Sequence, residues 1–178
     1  EKEFGGARLG DKRLSQRLVE IAGDKAGQPG RSYGGARGGD LPRVKAYYRF
    51  TDKPDDTAVT MPAILQPHRE RTIQRMKAQK TVLCIQDGSD LNYSPLARCE
   101  GLGFIGTNQT GKKSKGLHLH STFAVTSSGL PLGVLRAECK AREQRSQEDR
   151  RALSAIPIEE KNTFSWIQGA RDCMEIKQ

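Results

Sequence analysis

Leu14, Leu18, Ile21 and Ala22 recur at intervals of three and four residues, the period of a helix with one apolar face. Gly10-Asp11 stands just ahead of this run, and an aspartate there caps free backbone N–H groups. Lys12, Arg13, Arg17 and Lys25 fall mostly off the apolar face. The pattern fades near Gly27, and residues 27–39 hold six glycines, a proline and two arginines, Arg31 and Arg37. That composition predicts a flexible loop, either a solvated connector or a basic segment that follows a phosphate backbone. Asp40 can cap a second helix. Its apolar side is Leu41, Val44 and Tyr48 (or Tyr47), its other sides carry Arg43, Lys45 and Arg49, and Phe50 closes it before a polar turn over 51–56. A short helix with basic sides suits a solvated surface or a DNA groove. Residues 57–79 read as helical in two pieces, because Pro62 and Pro67 each break or restart a helix. In the second piece Ile73 and Met76 turn inward, with Arg69, Arg71, Arg75 and Lys77 elsewhere.

The texture changes at Thr81. Thr81-Val82-Leu83-Cys84-Ile85 is too short for a helix and suits a buried strand over 81–87, ending in the turn-rich Gln86-Asp87-Gly88-Ser89-Asp90. Residues 94–116 are polar and glycine-rich, with a basic cluster at Lys112, Lys113 and Lys115. Leu117, Leu119, Ser121, Phe123 and Val125 alternate with His118, His120, Thr122, Ala124 and Thr126. With a turn at Ser127-Ser128-Gly129, this predicts a hairpin over 117–138. Residues 141–152 are dense in charge, a surface helix or a disordered insertion. Asn162 or Thr163 starts a last helix, about 163–176, with Phe164, Ile167 and Ala170 or Arg171 on one side.

Charge gives this division a meaning. The 178 residues carry a formal charge of +9. Residues 1–80 hold 17 Lys and Arg against 10 Asp and Glu, and residues 81–178 hold 13 against 11. The excess is therefore concentrated in the helical half, where it attracts polyanions, nucleic acid being the commonest. A pI near 9.6 is also found in proteins that bind none. The apolar share, 35%, allows only a lean core. The chain has no apolar run long enough for a membrane span and no secretory leader pattern, which predicts a cytoplasmic protein without membrane partners. Cys84, Cys99, Cys139 and Cys173 form no C-x-x-C pair, and only three histidines accompany them. This argues against a zinc framework and for buried or incidental thiols in a reducing compartment.

Among candidate chemical groups Asp87 is the sharpest. A carboxylate where a buried strand gives way to a loop suits a hard divalent cation, while the plainer reading makes it the cap of the Gly88-Ser89 turn. Asp90 is a second ligand or a turn residue. His118 and His120, two apart on a strand, share a face and suit either metal binding or contact with solvent or a strand neighbour. Cys84, inside the apolar run, is poorly placed as a nucleophile. No nucleotide-binding, zinc-protease or serine-hydrolase motif occurs.

Five segments, in order, resemble those of bacterial cut-and-paste DDE transposases of the insertion-sequence-four group. Phe4 to Arg13 is similar to an F-x-x-x-x-L-G-D-x-R opening, and Ala46-Tyr47-Tyr48-Arg49-Phe50 to an A-Y-R-F signature. Ile85 to Tyr93 resembles I-x-D-T-T-x-L-x-Y, with Gly88 and Ser89 in place of the two threonines. Lys115 to Ser121 resembles the glycine-to-HS strand that follows, and Phe164 to Cys173 the helix leading to the second catalytic strand.

The resemblance implies an α+β or α/β chain: a small all-helical transposon-end DNA-binding domain over 1–75, then an incomplete ribonuclease-H-like mixed sheet over 76–178. It implies Arg13, Arg17, Arg43, Lys45 and Arg49 as DNA contacts, beside the loop arginines Arg31 and Arg37. Asp87 is implied as the first of three catalytic carboxylates that hold two Mg²⁺ (or Mn²⁺) ions for strand cleavage and transfer. The implied partner is the double-stranded inverted-repeat end of an element, with dimerisation in the full-length protein and nucleoid association when bound. The family's second aspartate and its glutamate fall beyond Gln178. The expectation is a catalytically incomplete fragment, or else a stand-alone DNA-binding protein or inhibitor of a full-length transposase. A strand bearing Asp87 without its parallel neighbour is expected to leave an exposed sheet edge.

Overall fold

The computed structural model describes residues 2–36, 39–54, 56–96, 98–107, 109–142 and 151–176. It divides into two compact units, Glu1–Gln74 and Arg75–Gln178. Arg37 and residues 143–150 of the charge-dense stretch lie outside the described residues.

The first unit is helical. α1 spans Lys12–Gly27, and the Asp11 side chain accepts from Arg13 N at 2.8 Å, the expected cap. A short α2, Tyr33–Ala36, interrupts the glycine-rich connection. α3 spans Leu41–Thr51, where Asp40 Oδ1 accepts from Arg43 N at 3.2 Å. α4 runs unbroken through Met61–Lys77, so the expected two pieces are one helix. Pro62 lies in the first turn, where its missing N–H has no intrahelical acceptor to lose. Thr60 Oγ1 accepts from Ala63 N at 3.3 Å in that same turn. Pro67, inside the helix, forfeits one backbone bond, but its ring is buried. It packs by the start of the chain, where a Cβ on Gly6 would sit 3.5 Å from Pro67 Cβ. The chain start is fastened further along α4: Phe4 stacks on His68 at 5.7 Å, and Glu3 Oε2 meets His68 Nδ1 at 2.7 Å.

Ala7, Leu9, Leu18, Ile21, Tyr33 and Phe50 form the core of this unit, with Leu14, Val44, Tyr47 and Ile64 packed around them. The core settles the orientation of α3. Phe50 is buried, and Tyr47 and Val44 follow it at steps of three. Each such step drifts about 60° around a helix of 3.6 residues per turn. A further step back, Leu41 has rotated out of the core and is 65% exposed. Tyr48 is 60% exposed. The expected apolar side of Leu41, Val44 and Tyr48 is thereby corrected to Val44, Tyr47 and Phe50.

The second unit is an open sheet with one helix against it. β1 (Val82–Asn92), β2 (Gly103–Thr107), β3 (Lys113–Thr126) and β4 (Pro131–Lys140) are its strands. β3 is central. One side pairs with β1 from Val82↔Thr126 to Asn92↔Gly116. The other side pairs first with β2 and then with β4. Every one of these pairings is antiparallel, and a parallel strand, as a mixed sheet requires, is not among the described strands. The hairpin forms around Gly129 at φ +85°, a conformation glycine adopts without strain.

Two expectations about strands are corrected. β1 does not end at residue 87 but continues to Asn92, because β3 offers it an unbroken ladder that outweighs the turn-forming residues 86–90. The glycine-rich stretch contains β2, whose Phe104 and Ile105 are too few to show alternation. β1 is also not buried. Among the described strands it pairs on one side only, and Leu83 and Ile85, on the face opposite Gln86, stand 49% and 50% exposed. Cys84, Cys99 and Cys139 are likewise exposed, and all four cysteines are free thiols.

α5 (Phe164–Met174) lies on the face of the sheet that carries Gln86, His120 and Thr122. Gly169 permits the close approach, since a Cβ there would stand 2.3 Å from Gln86 Oε1 and 2.8 Å from Thr122 Oγ1.

Candidate functional site

The basic residues singled out in the helical unit differ in how freely they present their charge. Arg17 is tied to Glu20 at 2.7 Å on the same helix, and Arg43 to Asp40 at 3.4 Å. These pairs are exposed enough to be weak, so either arginine can exchange its carboxylate for a phosphate at small cost. Arg13, Arg31, Lys45 and Arg49 are exposed and form no ion pair among the described residues. Arg31 lies beyond α1, where its carbonyl accepts from Lys25 Nζ. Lys45 and Arg49 are four apart on α3 and share one face. That face also carries Leu41 and Tyr48, which periodicity assigned to the core. The drift of an i, i+3 series past Phe50 was the signal that could have placed them outside.

In the second unit the carboxylates are dispersed. Asp87 pairs across the ladder with Ser121, is exposed, and has Ser89 Oγ at 3.4 Å from its Oδ2. It is neither a strand-end residue nor the cap of a Gly88-Ser89 turn, because all three lie within β1. Asp90 is engaged elsewhere: its Oδ1 meets His118 Nδ1 at 2.7 Å and Arg142 Nη1 at 3.8 Å. No group of three or more His, Cys, Asp or Glu that could hold a metal ion occurs among the described residues. A two-metal centre needs several converging carboxylates. The described residues do not by themselves fit Mg²⁺ or Mn²⁺.

His118 and His120 do share a face, but they do different things. His118 bonds across the strands to Asp90. His120 is 1% exposed and lies edge-on to Trp166 at 5.0 Å. Neither of its ring nitrogens has a hydrogen-bond partner among the described groups, nor do Gln86 Oε1 and Thr122 Oγ1. Burial, with the nearby Arg136 cation and His118, holds the His120 pKa below its ordinary value, against the opposing pull of Glu138 and Asp87. Sequence reasoning missed a polar network beside it. Arg136 Nη2 donates to Glu138 Oε2 at 2.9 Å and to Gln168 Oε1 at 3.2 Å, and Ser165 Oγ donates to Glu138 Oε2 at 3.1 Å. Burial alone raises the Glu138 pKa, but the Lys140 hydrogen bond, Arg136 and Ser165 outweigh it and hold it below the ordinary value. The cluster fastens α5 to the sheet rather than presenting a reactive group. Farther along, Lys113 and Lys115 line an open cleft of about 600 Å³ with Arg142 and Gly101–Phe104.

Residues 1–55 match the family of transposase DNA-binding domains. The chain therefore begins with a transposase-type DNA-binding domain, formed by α1, α2 and α3 with the segment that precedes them. No helix among the described residues is long and apolar enough to cross a membrane.

Proposed function

We propose that this chain binds double-stranded DNA through its first unit and serves DNA transposition by holding the inverted-repeat end of a mobile element. The observation that carries the reading is the match of residues 1–55 to transposase DNA-binding domains. The exposed cations of that segment support it: Arg13, Arg31, Lys45 and Arg49, with Arg17 and Arg43 loosely held. Such side chains bind the phosphate backbone by releasing its counterions, which makes affinity fall steeply with salt. Titration of a fluorescent duplex with the full chain over a series of salt concentrations tests it. Affinity that falls along a line in log salt supports the reading, and no binding at low salt overturns it.

For the DDE chemistry, Asp87 is proposed as one catalytic carboxylate of a ribonuclease-H-like domain, with Mg²⁺ or Mn²⁺ held only when further carboxylates join it. The second reading, a DNA-binding protein or inhibitor that does not cut, is favoured by the dispersal of carboxylates among the described residues. Incubation of this chain with Mg²⁺ and a bound duplex separates the two. Intact DNA supports the second reading, and divalent-dependent nicking that is lost in Asp87→Asn overturns it.

A further inference from the structure

We infer that the first half of β1, residues 82–86, is a self-association edge. It pairs antiparallel with the same segment of a second copy of the chain, with Cys84 facing Cys84 across the two-fold axis. The two sheets then run on as one through both molecules. The inference concerns the second unit and does not depend on the DNA-binding reading above.

Among the described strands β1, β2 and β4 each pair with β3 alone, so each has an outer edge of backbone N–H and C=O groups. Two of these edges are blunted. β2 is short and shifts register between Phe104 and Gly106. The β4 ladder shifts register twice, and the strand carries Arg136, Glu138 and Lys140. Bulges and charges of this kind hinder pairing with another chain. The first half of β1 has neither. Its ladder with β3 keeps one register through all 11 residues, and residues 82–86 are uncharged and contain no proline. Such an edge is matched by another β-strand, whose backbone groups complete the ladder.

The symmetry of the segment selects a second copy. With Cys84 on the axis, Leu83 stands opposite the copy's Ile85, and Ile85 opposite its Leu83. These half-exposed side chains thereby cover each other in two apolar cross-strand pairs on one face. At each end Lys80 falls diagonal to the copy's Asp90, within reach of a long side chain, and Asp87 stands opposite Thr81 rather than a like charge. Other registers fit worse. An axis at Ile85 sets Leu83 against Asp87, and an axis at Asp87 sets that carboxylate against itself.

Directly opposed residues of an antiparallel pair stand about 4.5–5.5 Å apart at Cα. A disulfide spans about 4.4–6.8 Å, so the exposed thiol of Cys84 reports the register. The test uses the full chain without DNA, carrying Cys99→Ser, Cys139→Ser and Cys173→Ser so that Cys84 alone remains. Diamide, a diazene, accepts two electrons and two protons from a pair of thiols and becomes a hydrazine as the disulfide forms. A covalent dimer is expected to form readily from this chain. Little is expected from a companion chain that keeps only Cys139, which is also exposed. In the reduced, unaltered chain sedimentation is expected to show a concentration-dependent dimer. Alternate amides over residues 82–86 are expected to gain hydrogen-exchange protection as it forms. Ile85→Lys is expected to weaken the dimer roughly tenfold, because both apolar cross-strand pairs are lost. Matching circular dichroism spectra confirm that the variants fold. A chain that stays monomeric at NMR concentrations overturns the inference. So does a dimer in which residues 82–86 gain no protection and Cys139 cross-links as readily as Cys84.

Discussion

The ring of Tyr47 lies nearly parallel to that of Tyr33, 12° apart in plane and 4.3 Å between centroids. This contact joins the short helix of the glycine-rich connection to α3. It also explains why neighbouring tyrosines behave differently. Tyr47→Ala removes the stack and opens the core, and is expected to destabilise the first unit by about 2–3 kcal/mol. Tyr48→Ala, on the exposed side, is expected to change stability by less than about 0.5 kcal/mol. Urea denaturation followed by circular dichroism distinguishes the two.

Gly88 has a steric reason to be glycine here. A Cβ at this position would stand 2.9 Å from His118 Cε1 and 3.0 Å from its Nε2. Gly88→Thr is expected to push the imidazole off Asp90 and cost about 1–3 kcal/mol. The proton resonances of His118 report the displacement directly. Unchanged His118 shifts and unchanged stability would contradict this packing.

The buried imidazole of His120 gives a dependence on pH. Its folded pKa lies below the ordinary 6.5, so as pH falls through 6.5 the unfolded chain takes up protons that the folded chain refuses. Stability is complete above that pH and declines as pH drops toward the folded value. Glu138, also depressed, adds a second loss below its ordinary 4.5. His120→Leu removes two unpartnered buried nitrogens and is expected to raise stability by about 1 kcal/mol at pH 7. It is also expected to flatten the curve between pH 7 and 5 while leaving the Glu138 limb. Denaturation at a series of pH values checks both limbs.

Among the described strands β1 has a partner on one side only, and its Leu83 and Ile85 side chains stand half exposed, an arrangement that invites strand pairing between molecules. Ile85→Lys is expected to suppress concentration-dependent association in sedimentation experiments. Its effect on stability is expected to be within about 0.5 kcal/mol, because the side chain is half exposed. Association unaffected by the change would remove β1 as its cause.

The sequence was most informative where local chemistry decides structure. Asp11 and Asp40 marked helix starts because each offers a carboxylate to backbone N–H groups two or three residues on. The alternation from Leu117 to Thr126 showed a strand because one residue in two turns toward the same face. Legibility failed where tertiary context decides. Pro67 reads as a helix breaker, and only its burial against the chain start accounts for its tolerance. Gln86 to Asp90 reads as a turn, and only the length of β3 extends it as a strand. The exposed face of α3 was hidden because Leu41 and Tyr48 match the helical period as well as the core residues do. The basic character of the DNA-binding segment was visible in the charge count, but the pairing of Arg17 and Arg43 with nearby carboxylates was not.

The central claim is that DNA lies on the first unit, and amide chemical-shift mapping of the full chain during titration with a short duplex tests it most directly. The largest shifts are predicted over residues 11–17 and 41–49, with β1, β3 and β4 little moved. Shifts concentrated in the sheet, with α1 and α3 undisturbed, would contradict the account.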